Sequence, residues 1–176
     1  QASCSFSDVS FQSVCGIVCS GSGNSGLSGR EMSTSPAVES FWKQLEQSGL
    51  IPARRVRELA RALAVEGITE DAVAARRLVE LKHLTRFQAD RLLEGRSRGF
   101  FFDGYKLLDL FGVGGMGWVY RAQDVGSGTE IALKVLLDQY KNDRGMVVRF
   151  EHEARAGQRF RHENIVQTLA FGSAGG

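Results

Sequence analysis

A lysine and a glutamate are the side chains in this sequence best suited to holding a phosphate. Lys134 ends the apolar run IALK at residues 131–134, and Glu153 lies in a helical pattern that follows. Burying either charge singly costs several kcal/mol, whereas pairing them compensates both charges and leaves the ammonium directed at phosphate oxygens. We therefore predict a Lys134–Glu153 ion pair. The alternative is that Lys134 extends along the surface and Glu153 faces solvent.

Glycines precede this lysine in a pattern that phosphate-binding loops use. Residues 112–117, GVGGMG, fit GxGxxG, and Val119 extends the match to GxGxxGxV. The shorter pattern is weak evidence, because dinucleotide folds and simple hairpin turns also produce it. A Rossmann loop must open a helix, and a Walker loop needs Lys and then Ser or Thr after its last glycine; neither follows in this sequence. We expect a hairpin flap whose backbone N–H groups cover a polyphosphate.

The elements that must position these residues follow from the spacing of apolar side chains. A period of two predicts strands around the glycine loop and a period near 3.6 predicts a helix after them. Strands are predicted over residues 105–111, 118–123, 129–136 and 165–171, with a turn at 124–128. The helix is predicted over residues 144–161, with a buried face of Phe150, Glu153, Ala154, Gly157 and Phe160.

These motifs resemble the N-terminal lobe of a protein kinase, in particular the bacterial Hanks-type serine/threonine kinases related to eukaryotic ones. The resemblance covers residues 103–172 and is carried, in the family's order, by GVGGMGWVY, IALK, RFEHEA and HENIV. It implies an α+β fold, an incomplete kinase lobe with an antiparallel sheet and a C helix. It also implies ATP as the ligand and a cytoplasmic enzyme that phosphorylates a protein substrate on Ser or Thr.

The resemblance implies a role for each matched residue. In the family the glycine loop covers the ATP phosphates, the strand lysine touches the α and β phosphates, and the helix glutamate holds that lysine. Lys134 and Glu153 match the last two roles. The nucleotide-binding residues implied are Phe111, Gly112, Val113, Gly114, Gly115, Met116, Gly117, Val119, Ala132 and Lys134, with Phe111, Val119 and Ala132 around adenine. The family usually has Ile or Leu at the position of Phe111, and Trp118 is unusually bulky.

The family's catalytic motifs HRDxxxxN and DFG do not occur in these 176 residues. Those motifs supply the catalytic base and the Mg²⁺ ligands, so the sequence predicts no metal site. We expect ATP to bind without phosphate transfer by this chain, and transfer by a full-length protein. The alternative is a non-catalytic scaffold, nucleotide-binding or helical, like a pseudokinase.

A helical module is predicted over residues 36–98, ahead of the kinase-like segment at 99–176. Start and stop signals mark four short helices: an end at Gly49, Pro52 as a first residue, an N-cap at Thr69, and a capping box of Thr85 and Gln88. Such short helices must pack on one another. The module fits a role in protein interaction or positioning. Phe100, Phe101 and Phe102 are assigned to the unit that follows.

The arginines of the second helix raise the possibility of a nucleic-acid surface. They are Arg54, Arg55, Arg57 and Arg61. A solvated helix face explains them better, because Glu58 interrupts the cluster and Lys plus Arg total 22 against 20 Asp plus Glu in the whole chain. We predict no nucleic-acid partner.

The first 35 residues differ in composition from the rest. They hold 11 Ser and five Gly with almost no charge, which predicts disorder. All three cysteines, Cys4, Cys15 and Cys19, lie in this segment, so no disulfide framework supports the rest and a reducing compartment is expected. Met32 resembles an ordinary bacterial start. No stretch approaches the roughly 20 apolar residues of a membrane span.

Overall fold

A computed structural model of the chain describes residues 13–19, 40–164 and 166–174. The described residues form two compact units. The helical unit comprises residues 40–102 and 106–109. The sheet unit comprises residues 13–19, 103–105, 110–164 and 166–174. The helices and strands confirm the α+β class, with a four-strand curled antiparallel sheet like that of a kinase N-terminal lobe.

The four predicted helices are present in the helical unit. They are α1 (Phe41–Ser48), α2 (Ala53–Val65), α3 (Asp71–Glu80) and α4 (Arg86–Leu93). Gly49 follows α1 in the left-handed region at φ 70°, and Thr85 and Gln88 form the predicted capping box of α4. The predicted N-cap at Thr69 is wrong. Glu70 precedes α3 instead, and the Asp71 carboxylate accepts a hydrogen bond of 3.0 Å from the Phe41 backbone N–H.

All four helices bury apolar side chains in one core, which is why helices of 8 to 13 residues are stable together. The core is Phe41, Leu45, Leu50, Ile51, Val56, Leu59, Leu63, Ala74, Ala75, Leu78, Leu84, Ala89, Leu92 and Phe100. Phe100 is only 1% exposed, so its assignment to the following unit is wrong. The helical core therefore extends past the boundary predicted between residues 98 and 99.

Six strands form one sheet among the described residues. They are β1 (Ser13–Cys19), β2 (Phe101–Phe102), β3 (Tyr105–Val113), β4 (Gly117–Asp124), β5 (Glu130–Leu136) and β6 (Gln167–Ala174), in the order β2-β3-β4-β5-β1-β6. β4 and β5 are antiparallel, with Val119 opposite Lys134. Their connection is the predicted turn, in which the Asp124 carboxylate accepts a hydrogen bond of 2.6 Å from the Ser127 N–H.

β1 corrects the prediction that residues 1–35 are disordered. It pairs in parallel with β5 on one side and with β6 on the other. The segment SVCGIVC is rich in β-branched residues, which favour strands. The disorder prediction used the composition of residues 1–35 as a whole, in which serine predominates, and so missed this local preference. The remainder of residues 1–35 lies outside the described residues.

The predicted C helix is α5 (Arg144–Arg159). It begins at Asp143, whose carboxylate accepts hydrogen bonds from the N–H groups of Gly145 and Met146. Phe150 and Ala154 are buried as predicted. Phe160 is 56% exposed, so its placement on the buried face is wrong: the helix has ended, and the Phe160 backbone is extended. No helix among the described residues is long and apolar enough to cross a membrane.

Gly117 is required by the close approach of two strands. A Cβ at this position would lie 2.3 Å from the Val135 carbonyl oxygen on β5. A Cβ at Gly115 would meet no atom within 4 Å. The backbone of a paired strand yields less easily than a flexible side chain, so the two glycines should differ in their tolerance of alanine.

We expect Gly117→Ala to destabilise the sheet unit by about 1–3 kcal/mol, the usual effect of overpacking. Gly115→Ala is the matched control and should change stability by less than about 0.5 kcal/mol. The chain has two tryptophans, Trp42 and Trp118, one in each unit. Urea unfolding followed by Trp118 fluorescence in a Trp42→Phe background measures the sheet unit. Equal stability of the two variants would contradict the close approach.

Lys106 supplies a pH-dependent contribution to stability. Its Nζ donates to the Leu50 carbonyl oxygen at 3.4 Å, and burial lowers the pKa of Lys106 from its usual 10.5. Between the lowered pKa and 10.5, the unfolded chain holds a proton on Lys106 that the folded protein has released. Unfolding then takes up a proton, so this contribution to stability rises with pH in that window.

The measurement is urea unfolding of the helical unit from pH 8 to pH 11, followed by Trp42 in a Trp118→Phe background. Wild type should gain stability relative to Lys106→Met as the pH rises, because other titrations cancel in the comparison. A constant difference between the two proteins across this range would show that Lys106 has its ordinary pKa when folded.

Candidate functional site

The structure brings Lys134 and Glu153 into contact. Lys134 lies on β5 and Glu153 lies on α5, and the Lys134 Nζ donates to Oε1 of Glu153. The same ammonium lies 5.5 Å from the centroid of the Phe150 ring. Phe150 and Glu153 are three residues apart, so they lie on one face of the helix. One helix face therefore gives Lys134 both an acidic and an aromatic neighbour.

The ion pair is less buried than the sequence implies. The Lys134 side chain is 20% exposed and the Glu153 side chain is 53% exposed. The prediction that Glu153 is buried, and so needs Lys134 to offset the cost of burial, is therefore wrong. An ion pair with this exposure contributes little to stability, of the order of 0–1 kcal/mol. Its effect is to fix the position of the ammonium, which solvent and other molecules can still reach.

Lys134 shares one face of the sheet with two other predicted site residues. Val119 lies opposite Lys134 in the β4–β5 pair, and Ala132 lies two positions before Lys134 on β5. Opposite residues in an antiparallel pair, and alternate residues along a strand, point to the same face. Val119 and Ala132 are therefore apolar neighbours of Lys134 on this face, and Ala132 is 6% exposed.

The bulky Trp118 lies on the other face. It pairs with Val135, one position along from the Val119–Lys134 pair, and its ring stacks on Tyr120 with centroids 6.5 Å apart. Adjacent strand residues point to opposite faces. Trp118 therefore departs from the family pattern without reaching the face that carries Lys134.

The predicted glycine hairpin is present. β3 ends at Val113 and β4 begins at Gly117, and the Gly114 N–H donates to the Gly117 carbonyl across the loop at 2.7 Å. A Cβ at Gly112 or Gly115 would meet no atom within 4 Å. At Gly117 the neighbouring protein atoms leave no room for a side chain, whereas Gly112 and Gly115 have open space beside them.

Met116 anchors the loop to the rest of the sheet unit. The Leu137 N–H donates to the Met116 carbonyl at 3.0 Å, and the Met116 side chain packs against the buried Leu136 and Phe150. Met116 therefore packs against the same small cluster whose aromatic ring lies near the Lys134 ammonium. The sequence placed Phe150 on the buried helix face and did not assign it to the site; its spacing of three from Glu153 is the signal that was available.

The remaining predicted residues lie on the strand before the loop. Phe111 and Val113 are on β3 and are 36% and 56% exposed. Their contact with the Lys134 face stays a prediction. Across the described residues, no three His, Cys, Asp or Glu side chains come close enough to hold a metal ion.

Comparisons with known proteins find relatives that match part of the chain. No family model matches the chain. The serine/threonine-protein kinase pkn3 of Myxococcus xanthus is 40% identical over 70 residues, 40% of this chain and 13% of the relative. Serine/threonine-protein kinase PrkC of Bacillus subtilis is 38% identical over 68 residues, 39% of this chain and 10% of the relative.

Serine/threonine-protein kinase PknD of Mycobacterium tuberculosis is 36% identical over 75 residues, 43% of this chain and 11% of the relative. The matches thus span between 10% and 13% of these relatives' lengths. Within that limit, sequence identity, the curled sheet and the lysine–glutamate pair agree. The chain carries a segment related to the N-terminal lobe of bacterial Hanks-type serine/threonine protein kinases.

Proposed function

We propose that the sheet unit binds ATP as the nucleotide-binding portion of a serine/threonine protein kinase. The observation that carries the proposal is the contact of Lys134 with Glu153 beside the glycine hairpin. The full-length protein would transfer the terminal phosphoryl group of ATP to a protein Ser or Thr. Its partners are then ATP and a protein substrate. The Mg²⁺ ligands would come from the C-terminal lobe of a complete kinase, which carries HRDxxxxN and DFG. The expected location of the protein is the cytoplasm.

The chemistry of the ammonium supports this assignment. A lysine ammonium has three N–H donors in no fixed plane. One donor of Lys134 is directed at Glu153, which leaves donor capacity for phosphate oxygens. Because its side chain is 20% exposed, an incoming anion can reach it.

The loop and the neighbouring face suit the other parts of ATP. Space beside Gly112 and Gly115 lets backbone N–H groups approach phosphates closely. Val119 and Ala132 provide an apolar surface for a base on the Lys134 face. The proposed nucleotide site therefore comprises residues 111–117 with Val119, Ala132 and Lys134, and Glu153 positions the lysine.

The alternative is a scaffold that binds nucleotide or protein without catalysis. The helical unit favours the protein-binding form of this alternative. Its core of 14 buried residues supports a folded unit whose surface another protein could bind. Activity of a longer protein that contains the following lobe distinguishes a kinase from a scaffold. Binding of ATP alone does not.

The first test is titration of the purified chain with ATP by calorimetry, with and without Mg²⁺. Lys134→Met should weaken ATP binding about 10- to 100-fold, the value of a charge-assisted hydrogen bond of about 1.5–3 kcal/mol. Lys141→Met is the matched control, because Lys141 also pairs with an acid, Asp138, in the same unit. Equal binding by Lys134→Met and wild type would refute the proposal.

Glu153→Gln tests the positioning role of the acid. Glutamine keeps the size of the side chain and loses the charge, so ATP binding should weaken about three- to tenfold with little change in stability. Glu151→Gln is the control on the same helix, since Glu151 pairs with Arg155. A stability loss in Glu153→Gln without weaker binding would show that the pair is only structural.

We also propose that these 176 residues transfer no phosphate, because the sequence contains neither HRDxxxxN nor DFG. Incubation with γ-labelled ATP, Mg²⁺ and a generic protein substrate should give no labelled product above a Lys134→Met control. Labelling that survives stringent purification and disappears in Lys134→Met would contradict this expectation.

A further inference from the structure

The capping box of α4 makes more hydrogen bonds than its helix needs. Within the box, the Thr85 N–H donates to Gln88 Oε1 at 3.1 Å and the Gln88 N–H donates to Thr85 Oγ1 at 3.2 Å. The spare donors of both side chains are directed elsewhere. Gln88 Nε2 donates to the Leu107 carbonyl at 2.8 Å, and Thr85 Oγ1 donates to the Leu108 carbonyl at 2.6 Å. A helix cap thus also binds two consecutive carbonyls of β3.

These hydrogen bonds are buried. Gln88 is 1% exposed, although glutamine is ordinarily a surface residue. Leu107 and Leu108 are 5% and 8% exposed, and as neighbours on a strand they point to opposite faces, so β3 is covered on both sides at this point. A buried polar group that loses its partner is costly. Sliding β3 by one residue would break both bonds to the box.

Two more contacts hold the same part of β3 within the helical unit. The Leu107 N–H donates to the Phe100 carbonyl at 2.8 Å, and Phe100 belongs to the helical core. Lys106 Nζ donates to the Leu50 carbonyl at 3.4 Å. Residues 106–109 of β3 therefore belong to the helical unit, whereas residues 110–113 belong to the sheet unit.

The strand continues from these fixed residues directly into the glycine loop. Gly112 lies four positions after Leu108, about 13 Å along an extended chain. A one-residue shift in register exchanges the faces to which all later strand residues point. The position of Phe111 and of the loop after it thus depends on how residues 106–109 are held.

We infer that Thr85 and Gln88 are positioning residues for the nucleotide-binding loop: they fix residues 107 and 108 of β3, and so set the register and order of residues 110–117. The inference rests on the proposed function of that loop. It gives the helical unit a role in nucleotide affinity that its capping motif alone does not imply. Their hydrogen bonds go to the carbonyls of Leu107 and Leu108, so both act on the loop through the strand.

The test uses the whole 176-residue chain. Thr85→Val and Gln88→Met keep side-chain size and remove the hydrogen bonds to β3. Each should weaken binding of ATP about three- to tenfold, the effect of one lost buried hydrogen bond. Each should also speed hydrogen exchange of the amides of residues 110–117. Thr85→Ser keeps the hydroxyl and should restore both readouts.

Asp71→Ala is the matched control within the helical unit. It removes the hydrogen bond from the Phe41 N–H, and its carboxylate makes no bond to residues 106–109 in the described structure. It should lower the stability of the helical unit without changing ATP affinity or exchange at residues 110–117. If Thr85→Val and Gln88→Met behave like Asp71→Ala, the two residues only stabilise a helix and the inference is wrong.

A measurement on wild type covers the case in which the variants unfold. Under low denaturant, amides of α4 and of residues 110–113 should open together, with the same dependence on urea. Opening of α4 that leaves residues 110–113 protected would overturn the inference. If wild type binds no ATP, the proposed function fails, and the exchange data alone decide whether the box orders the loop.

Discussion

The contact between the Lys134 ammonium and the Glu153 carboxylate determines where an anion can be held in this protein. It joins β5 to α5, two elements separated in the chain by a turn of 3₁₀ helix. With one side chain 20% exposed and the other 53% exposed, the contact adds little to folding stability. Its value lies in orientation, since it holds a flexible four-carbon side chain at one place on the sheet.

Packing beneath this contact links it to the glycine hairpin. Phe150 lies under the ammonium, and the Met116 side chain packs against the cluster that Phe150 forms with Leu136. Gly117 permits the close approach of β4 to β5 that brings Val119 opposite Lys134. The loop, the lysine and the helix are thus parts of one packed arrangement.

Much of this arrangement could be predicted from local patterns. Strand alternation around the glycines, the helical spacing of Phe150 and Ala154, and the Thr85–Gln88 capping box all depend on residues close in sequence.

Three features depended on distant residues and were missed. Phe100 joined the helical core, Glu153 stayed largely exposed, and residues 13–19 formed a strand. An aromatic residue at a boundary between two units can pack into the core of either unit. The spacing of apolar residues along the sequence does not specify which core it joins. The exposure of a carboxylate depends on how its helix is rotated against the sheet. A seven-residue strand between β5 and β6 has no local partner, because both of its neighbours lie more than a hundred residues later in the chain.

The placement of β1 has a kinetic consequence. Val14 pairs with Ala132 and Ile17 pairs with Gly172, so β5 and β6 are joined through a strand from the opposite end of the sequence. Contacts of such high sequence separation require closure of a long loop and form slowly. During synthesis, the pairing of β1 with β6 cannot form until β6 has left the ribosome. β1 must wait for that moment, while the helical unit, built almost entirely from neighbouring residues, can already be folded.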